Sequence, residues 1–409
     1  MTANNAALAN KPNLTPMDSA TLIQRAKDMQ PILRERAAIT ESQRKVPEET
    51  IREFHEAGFF KMFQSSYWGG YESHPTDIFT VSELLAQGCP SSAWLMGVLG
   101  VHNWQLAHFS KEAQIDVWGK NPEVLMSSSY APTGTAERVA EGVVLRGRWH
   151  YSSGIDHADW VLLGANLPSE GSPFPDYATY LVPKSDYKII DDWHVMGLKG
   201  TGSKSLEIKE AFVPDSYALP IIASQMFNTP GMQDGTADAP LFRVPFPTIF
   251  GACITTPAMG AAQRILDIFV EATKTSTSLY SGAKWSNEQV TQIRISESAA
   301  ELRAARLQMA ANFNEYMDML SRGEEIDLHK RADYRYDHCN LVDLAHRAAD
   351  RLFVASGARS LMLDQPLQRL YCDIQAARVH AINNRTKWAT TAGSIALGHN
   401  PDDILSLFI

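Results

Sequence analysis

The rhythm of apolar and polar positions changes twice along the chain. From about Asp18 to Trp118 apolar residues recur at helical spacing. Asp18 or Ser19 can cap a first helix, TLIQRAKDMQPILRERAAITES. Pro47 followed by Glu48 and Glu49 opens a second, because proline suits a first turn and acids suit a helix N-terminus. Pro75 to Gln87 and Ser91 to Phe109 read as two more. From about Val124 to Ala223 the pattern alternates, as in RVAEGVVLRGRWHYSSG, ADWVLLGANL and KSLEIKEAFVP, between Gly, Pro, Asp and Ser punctuation. That is strand-and-turn chemistry, with hairpin turns expected at Gly142 and Gly147. A stretch from Asn228 to Pro247 links onward as a loop. Helical spacing then returns, over Pro257 to Thr275, Glu288 to Arg322, His338 to Ser356 and Pro366 to Leu397.

The order is helices, then strands, then helices. It predicts an α+β chain, mostly α: a helical region over 1–123, a small β-barrel or sheet region over 124–225, and a helical bundle over 226–409. A doubly wound sheet is excluded, and no P-loop or GxGxxG follows a strand.

Composition narrows this little further. Hydrophobic residues make up 44% of the 409 and charged residues 20%, as in ordinary globular chains. The net charge of −9 argues against a nucleic-acid surface, which needs a basic stripe. Four scattered cysteines (89, 253, 339, 372) make no metal spacing and suit a reducing compartment, so no metal is expected. The N-terminus lacks the charged-then-apolar order of a secretory signal, and no apolar run is long enough to span a membrane. A cytoplasmic location follows as the expectation.

Four stretches carry a resemblance: PEETIREFHEAGFFKMFQSSYWGGYE, RGRWHYSSGIDHADWVLLGA, WHVMGLKGTGSKSLEIKEAFVPD and DQPLQRLYCDIQAARVH. Together they resemble the acyl-CoA dehydrogenase superfamily over nearly the whole chain. Dehydrogenases of that superfamily often place a catalytic glutamate after the last of these signatures. Here no glutamate occurs between Asp373 and the C-terminus, and His380 stands in the neighbourhood. The chain is instead similar to the two-component (group D) flavin-dependent monooxygenase branch, of the p-hydroxyphenylacetate hydroxylase type.

The resemblance implies an oxygenase that takes reduced FMN or FAD from a separate NAD(P)H-dependent flavin reductase. With O2 the flavin forms a hydroperoxide that hydroxylates a small aromatic ring, phenolic or indole-like. N- or S-oxygenation and acyl-CoA dehydrogenation remain the alternatives. A homotetramer is also implied.

Candidate residues follow. Trp94, Val98, Val101 and Gln105 share a helix face with His102 at its edge. By itself this reads as a core helix; the resemblance makes Trp94 a flavin contact and His102 a catalytic, substrate-side residue, since a neutral imidazole can take a phenol proton. His108 reads as structural or surface. The triplet at 127–129 reads as a turn, and the resemblance puts Ser128 at the reactive edge of the flavin. Strand alternation puts Trp149, Tyr151 and Ser153 on one face, with Tyr151 and Ser153 as cofactor-binding candidates. His380 and Asn384, at i and i+4, share a helical face and become substrate-side, His380 catalytic as well. Ser356, Gly357 and Arg359 match a phosphate-binding loop supplied by a neighbouring subunit, and equally read as a helix C-terminus. Arg243 or Arg264 is a further positive group. YSGAKWSNEQV lacks the arginine that often holds an FAD tail, which suggests a loosely held or FMN-like flavin. Asp156 and His157 are adjacent and do not make a dyad.

Overall fold

The structure, a computed structural model, describes residues 17–167, 176–277 and 282–399. The N-terminal sixteen residues, and Tyr280 and Ser281 of the YSGAKWSNEQV stretch, lie outside them.

The chain begins with α1 (Ser19–Gln43), capped by Asp18, whose carboxylate accepts the Thr21 N–H at 2.9 Å. The helices α2 (Glu48–Ala57), α3 (Pro75–Ala86), α4 (Pro90–Leu106) and α5 (Lys111–Trp118) follow. Every residue of α4 is buried, polar ones included. A helix buried on every side belongs inside a large packed unit rather than on its surface.

Among the described residues, eight strands then form two four-stranded sheets. One has the order β1 (Met126–Ser129), β4 (Trp160–Leu167), β5 (Asp176–Pro183), β8 (Ala218–Pro220); the other β2 (Thr135–Val139), β3 (Gly142–Ser152), β7 (Lys204–Pro214), β6 (Lys188–Ile190). Leu145, Trp149 and Leu206 of one sheet pack against Val161, Leu163 and Tyr180 of the other in a common core. The β2–β3 turn closes at Glu141 (φ 62°) beside Gly142. Gly147 is no hairpin turn: it sits inside β3 at a register shift (φ 141°), where a Cβ would come within 2.6 Å of Gly134 Cα. It marks a bulge.

The remaining helices are α6 (Ile221–Gln225), α7 (Pro230–Gln233), α8 (Phe246–Thr275), α9 (Gln289–Ser321), α10 (Leu328–Ala355), α11 (Pro366–Arg378) and α12 (Arg385–Ala396). The long helix α8 is the hub, touching α3, α4, α10 and α11. Three expectations are corrected here. The 228–247 stretch is not all loop, since it contains α7 and the first two residues of α8. Pro257 lies inside α8 rather than opening it; packing on every side of the helix outweighs its propensity cost. The segment 366–397 is two helices, broken at Val379–Asn384. No helix among the described residues is long and apolar enough to cross a membrane.

Candidate active site

Three parts of the chain meet around a cavity of about 420 Å³. From α4 come Trp94, Val98, Trp104 and Gln105. The sheets contribute Ser128, Ser129, Tyr130, His150, Tyr151 and Ser153. The C-terminal helical region adds Phe246, Phe250 and Ile254 from the start of α8, His380 to Ile382 from the α11–α12 break, and Lys387 and Trp388 from the first turn of α12. No Asp or Glu lines the cavity among the described residues.

One end is aromatic. Phe246 and Phe250 stack at 5.3 Å, and Tyr130 meets their edges at 5.3 and 5.5 Å. Trp104 stacks on Phe246 at 5.7 Å. Such walls favour a flat ring held by face and edge contacts. The Tyr130 hydroxyl donates to Gln105 Oε1 at 2.5 Å, and burial pushes its acidity far below that of a free phenol.

Near Trp94 the cavity presents hydroxyls. Trp94 Nε1–H donates to Ser153 Oγ at 3.2 Å. Ser128 also faces the cavity. Ser127, off the cavity, donates to the Ser153 carbonyl (2.8 Å), and Ser129, also in the wall, commits its proton to the His150 carbonyl (2.6 Å). The expected shared face of Trp149, Tyr151 and Ser153 does not form. A second register shift between Trp149 and Ser152 puts Tyr151 at φ 66° and breaks the alternation. Trp149 is buried between the sheets, donating to the Gly164 carbonyl. Tyr151 is 72% exposed at the cavity rim, and Ser153 lies inside.

The two histidines differ. His380 lines the cavity, with Trp94 edge-on at 5.9 Å and Phe250 at 6.2 Å. Its Nδ1 accepts the Ile382 N–H at 3.2 Å, so the neutral ring carries its proton on Nε2. Burial, reinforced by the Arg335 guanidinium, lowers its pKa to about 4. His380 therefore offers an uncharged N–H donor at neutral pH. His102 is fully buried and not part of the cavity wall, contrary to the substrate-facing expectation. Its Nδ1–H donates to the Met126 carbonyl at 2.6 Å, which leaves a lone pair on Nε2 with no partner. Burial brings its pKa to about 4 as well.

Other candidates fall outside the cavity. Asn384 shares no helical face with His380, because α11 has already ended; it is exposed and caps α12 by accepting the Lys387 N–H at 3.1 Å. Its buried neighbour Asn383 pins Thr255 to the Ala377 carbonyl. Arg243 is exposed and Arg264 half-buried, and neither lines the cavity. Ser356, Gly357 and Arg359 follow the end of α10, Arg359 in solvent, and none reaches this chain's own cavity. His108 is structural: it is buried, 3.1 Å from Thr229 Oγ1 and packed on Trp104. Asp156 and His157 face different partners, Lys204 and Glu48.

Sequence reasoning missed Tyr130, Phe246, Phe250 and Trp388. The signal was there for two of them. Phe246, Phe250 and Ile254 stand at i, i+4 and i+8, a helical stripe continuous with the segment after Pro257.

An aromatic slot edged by hydroxyls is lodged between a small β region and a helical bundle, a shape that suits flat rings held by face and edge contacts. The acyl-CoA dehydrogenase N-terminal domain model matches residues 26–120, and the acyl-CoA dehydrogenase C-terminal domain model matches residues 252–385. The flavin-dependent monooxygenase oxygenase subunit HsaA of Rhodococcus jostii is 37% identical, covering 88% of this chain and 94% of that protein. The FADH2-dependent resorcinol hydroxylase oxygenase component of a Rhizobium species is 32% identical over 93% of this chain and 95% of its own. The crystal structure of 3-HSA hydroxylase from Rhodococcus sp. RHA1 superposes with a TM-score of 0.90 at 34% identity, covering 96% of this chain and all of that one. The chain belongs to the acyl-CoA dehydrogenase family, in its branch of flavin-dependent monooxygenase oxygenase components.

Proposed function

We propose that this oxygenase hydroxylates a small phenolic or indole-like ring, using reduced FMN or FAD delivered by a separate NAD(P)H-dependent reductase. The observation that carries the reading is the pairing, in one cavity, of the Tyr130, Phe246 and Phe250 walls with the His380 N–H donor, with no carboxylate in the wall among the described residues. When bound, reduced flavin supplies the electrons that activate O2, so that one oxygen atom enters the substrate and the other leaves as water.

The chain's own residues do the rest. Trp94 backs the flavin ring, and Ser128 and Ser153 meet its polar edge. Tyr130, Phe246 and Phe250 hold the substrate ring flat. His380 Nε2–H donates to the substrate oxygen and fixes which ring carbon faces the reacting oxygen. His102, with its Nε2 lone pair behind the wall, orients the Met126–Ser128 strand. The buried apolar slot keeps bulk water out.

We also propose a homotetramer in which Ser356, Gly357 and Arg359 reach a neighbour's flavin. Val354, Leu361, Met362 and Leu363, all exposed beside that loop, support a face covered by another copy.

The test is single turnover of the protein with anaerobically reduced FMN or FAD, then 18O2, over a panel of phenols and indoles. The expected product carries one labelled oxygen on carbon. Labelled sulfoxide or N-oxide alone, or acyl-CoA-dependent bleaching of bound FAD, would sink the reading.

A further inference from the structure

A row of buried hydroxyls runs away from the cavity behind Ser153. Ser153 Oγ lies 2.7 Å from Ser203 Oγ, Ser203 Oγ lies 2.7 Å from Thr201 Oγ1, and Thr201 Oγ1 lies 2.8 Å from the Leu198 carbonyl. We propose that Thr201 and Ser203 fix Ser153 as a one-way hydrogen-bond acceptor toward the cavity, and that this polarity makes the site select reduced over oxidised flavin. The proposal rests on the flavin reading above.

The direction of the chain is forced. A hydroxyl has one proton, and a carbonyl can only accept. The Thr201 proton is committed to Leu198. Ser203 must then donate to Thr201, and Ser153 must donate to Ser203. This is the one assignment that gives each of the three contacts a proton. Any reversal sets two oxygens lone pair to lone pair at 2.7 Å. Trp94 Nε1–H, which can only donate, takes one acceptor position of Ser153. What Ser153 has left for a ligand is a lone pair.

Water does not scramble this order. Trp94, Ser153, Ser203 and Thr201 are each at least nine-tenths buried, at 5%, 8%, 5% and 1% exposure. The far end is held rigidly as well. Leu198 and Gly202 sit in left-handed conformations (φ 52° and 53°). The Leu198 carbonyl also takes Trp193 Nε1–H at 3.1 Å, and its N–H is held by Asp373 Oδ1 at 2.5 Å.

The chemical consequence follows from the flavin ring. Its N5 carries a hydrogen when reduced and a lone pair when oxidised. An acceptor-only hydroxyl complements the first and repels the second. A serine free to rotate would serve both, so selectivity lies in Ser203 and Thr201, neither of which lines the cavity. They are positioning residues.

The experiment measures dissociation constants for reduced and oxidised FMN and FAD, anaerobically, in the full-length protein and in Ser203→Ala, Thr201→Val and Thr201→Ser. The wild type is expected to prefer reduced flavin. Ser203→Ala removes the acceptor of the Ser153 proton, and Thr201→Val lets Ser203 turn toward Ser153. Each should cut the reduced-to-oxidised preference by about tenfold, whereas Thr201→Ser, which keeps the hydroxyl, should preserve it. Equal weakening of both redox states, with the ratio unchanged in whichever of the two disabling variants melts like the wild type, overturns the proposal. So does a wild type that binds both states alike. A wild type that binds neither flavin refutes the functional reading itself, and this inference with it.

Discussion

At the scale of single residues, His102 and His380 show how hydrogen bonds divide labour between identical side chains. Both are held neutral by burial, with pKa values lowered to about 4. Their partners give them opposite tautomers, because a carbonyl forces Nδ1–H on His102 while a backbone N–H forces a bare Nδ1 on His380. His380→Ala should lower labelled product per reduced flavin by about 10²-fold, the scale of loss when a substrate-orienting contact is removed. His380→Asn, which can still accept from Ile382 and donate to a ligand, should retain more; product and hydrogen peroxide yields together check this. A depressed histidine pKa also has a stability sign. The unfolded chain takes up the proton near the ordinary 6.5 while the folded chain does not until about 4. Stability from this group is therefore full above 6.5 and is lost as pH falls through 4. His380→Asn should lessen acid destabilisation in that window, read by thermal melts at pH 7 and pH 5.

At the scale of elements, the loop between β6 and β7 is fastened to α11. Gly197 lies so close that a Cβ would come 2.0 Å from the Cys372 carbonyl oxygen. Backbone cannot yield as a side chain does, so Gly197→Ala should cost about 1–3 kcal/mol or more in unfolding free energy, measured by denaturant melts. Beside it the Asp373 carboxyl is raised to about 7, chiefly by burial, against the Leu198 N–H and Arg369, which pull the other way. Glu41 raises it further and Lys199 lowers it slightly. Here the folded chain holds the proton more tightly than the unfolded one. The stabilisation is complete below the ordinary 3.8 and is lost as pH rises through about 7. Asp373→Asn keeps an oxygen for the Leu198 N–H, so its melting temperature should fall less than that of the wild type between pH 5 and pH 8.

At the scale of the whole molecule, the cavity of one chain already has its aromatic walls, while Arg359 stands in solvent beside the exposed Leu361, Met362 and Leu363. Such a strip suits an interface with another copy. Leu361→Glu with Leu363→Glu should shift the assembly toward smaller species in sedimentation. It should also weaken flavin binding, although neither position lines the chain's own cavity.

What the sequence determined by itself was the order of helices, strands and helices, written in periodicities of 3.6 and 2. It also determined the family signatures that put Trp94, Ser128, Ser153 and His380 at one site. These rest on local spacing and on motifs. Tertiary structure decided the rest. The bulges at Gly147 and Tyr151 are set by what crosses the sheet, so alternation failed for Trp149 and Tyr151. The break at Val379–Asn384 separated His380 from Asn384, and packing carried α8 back to Phe246 through what reads as loop. Most of all, the direction of each hydrogen bond depends on which partner lies opposite. That is a property of residues far apart in the chain, and no spacing in the sequence encodes it.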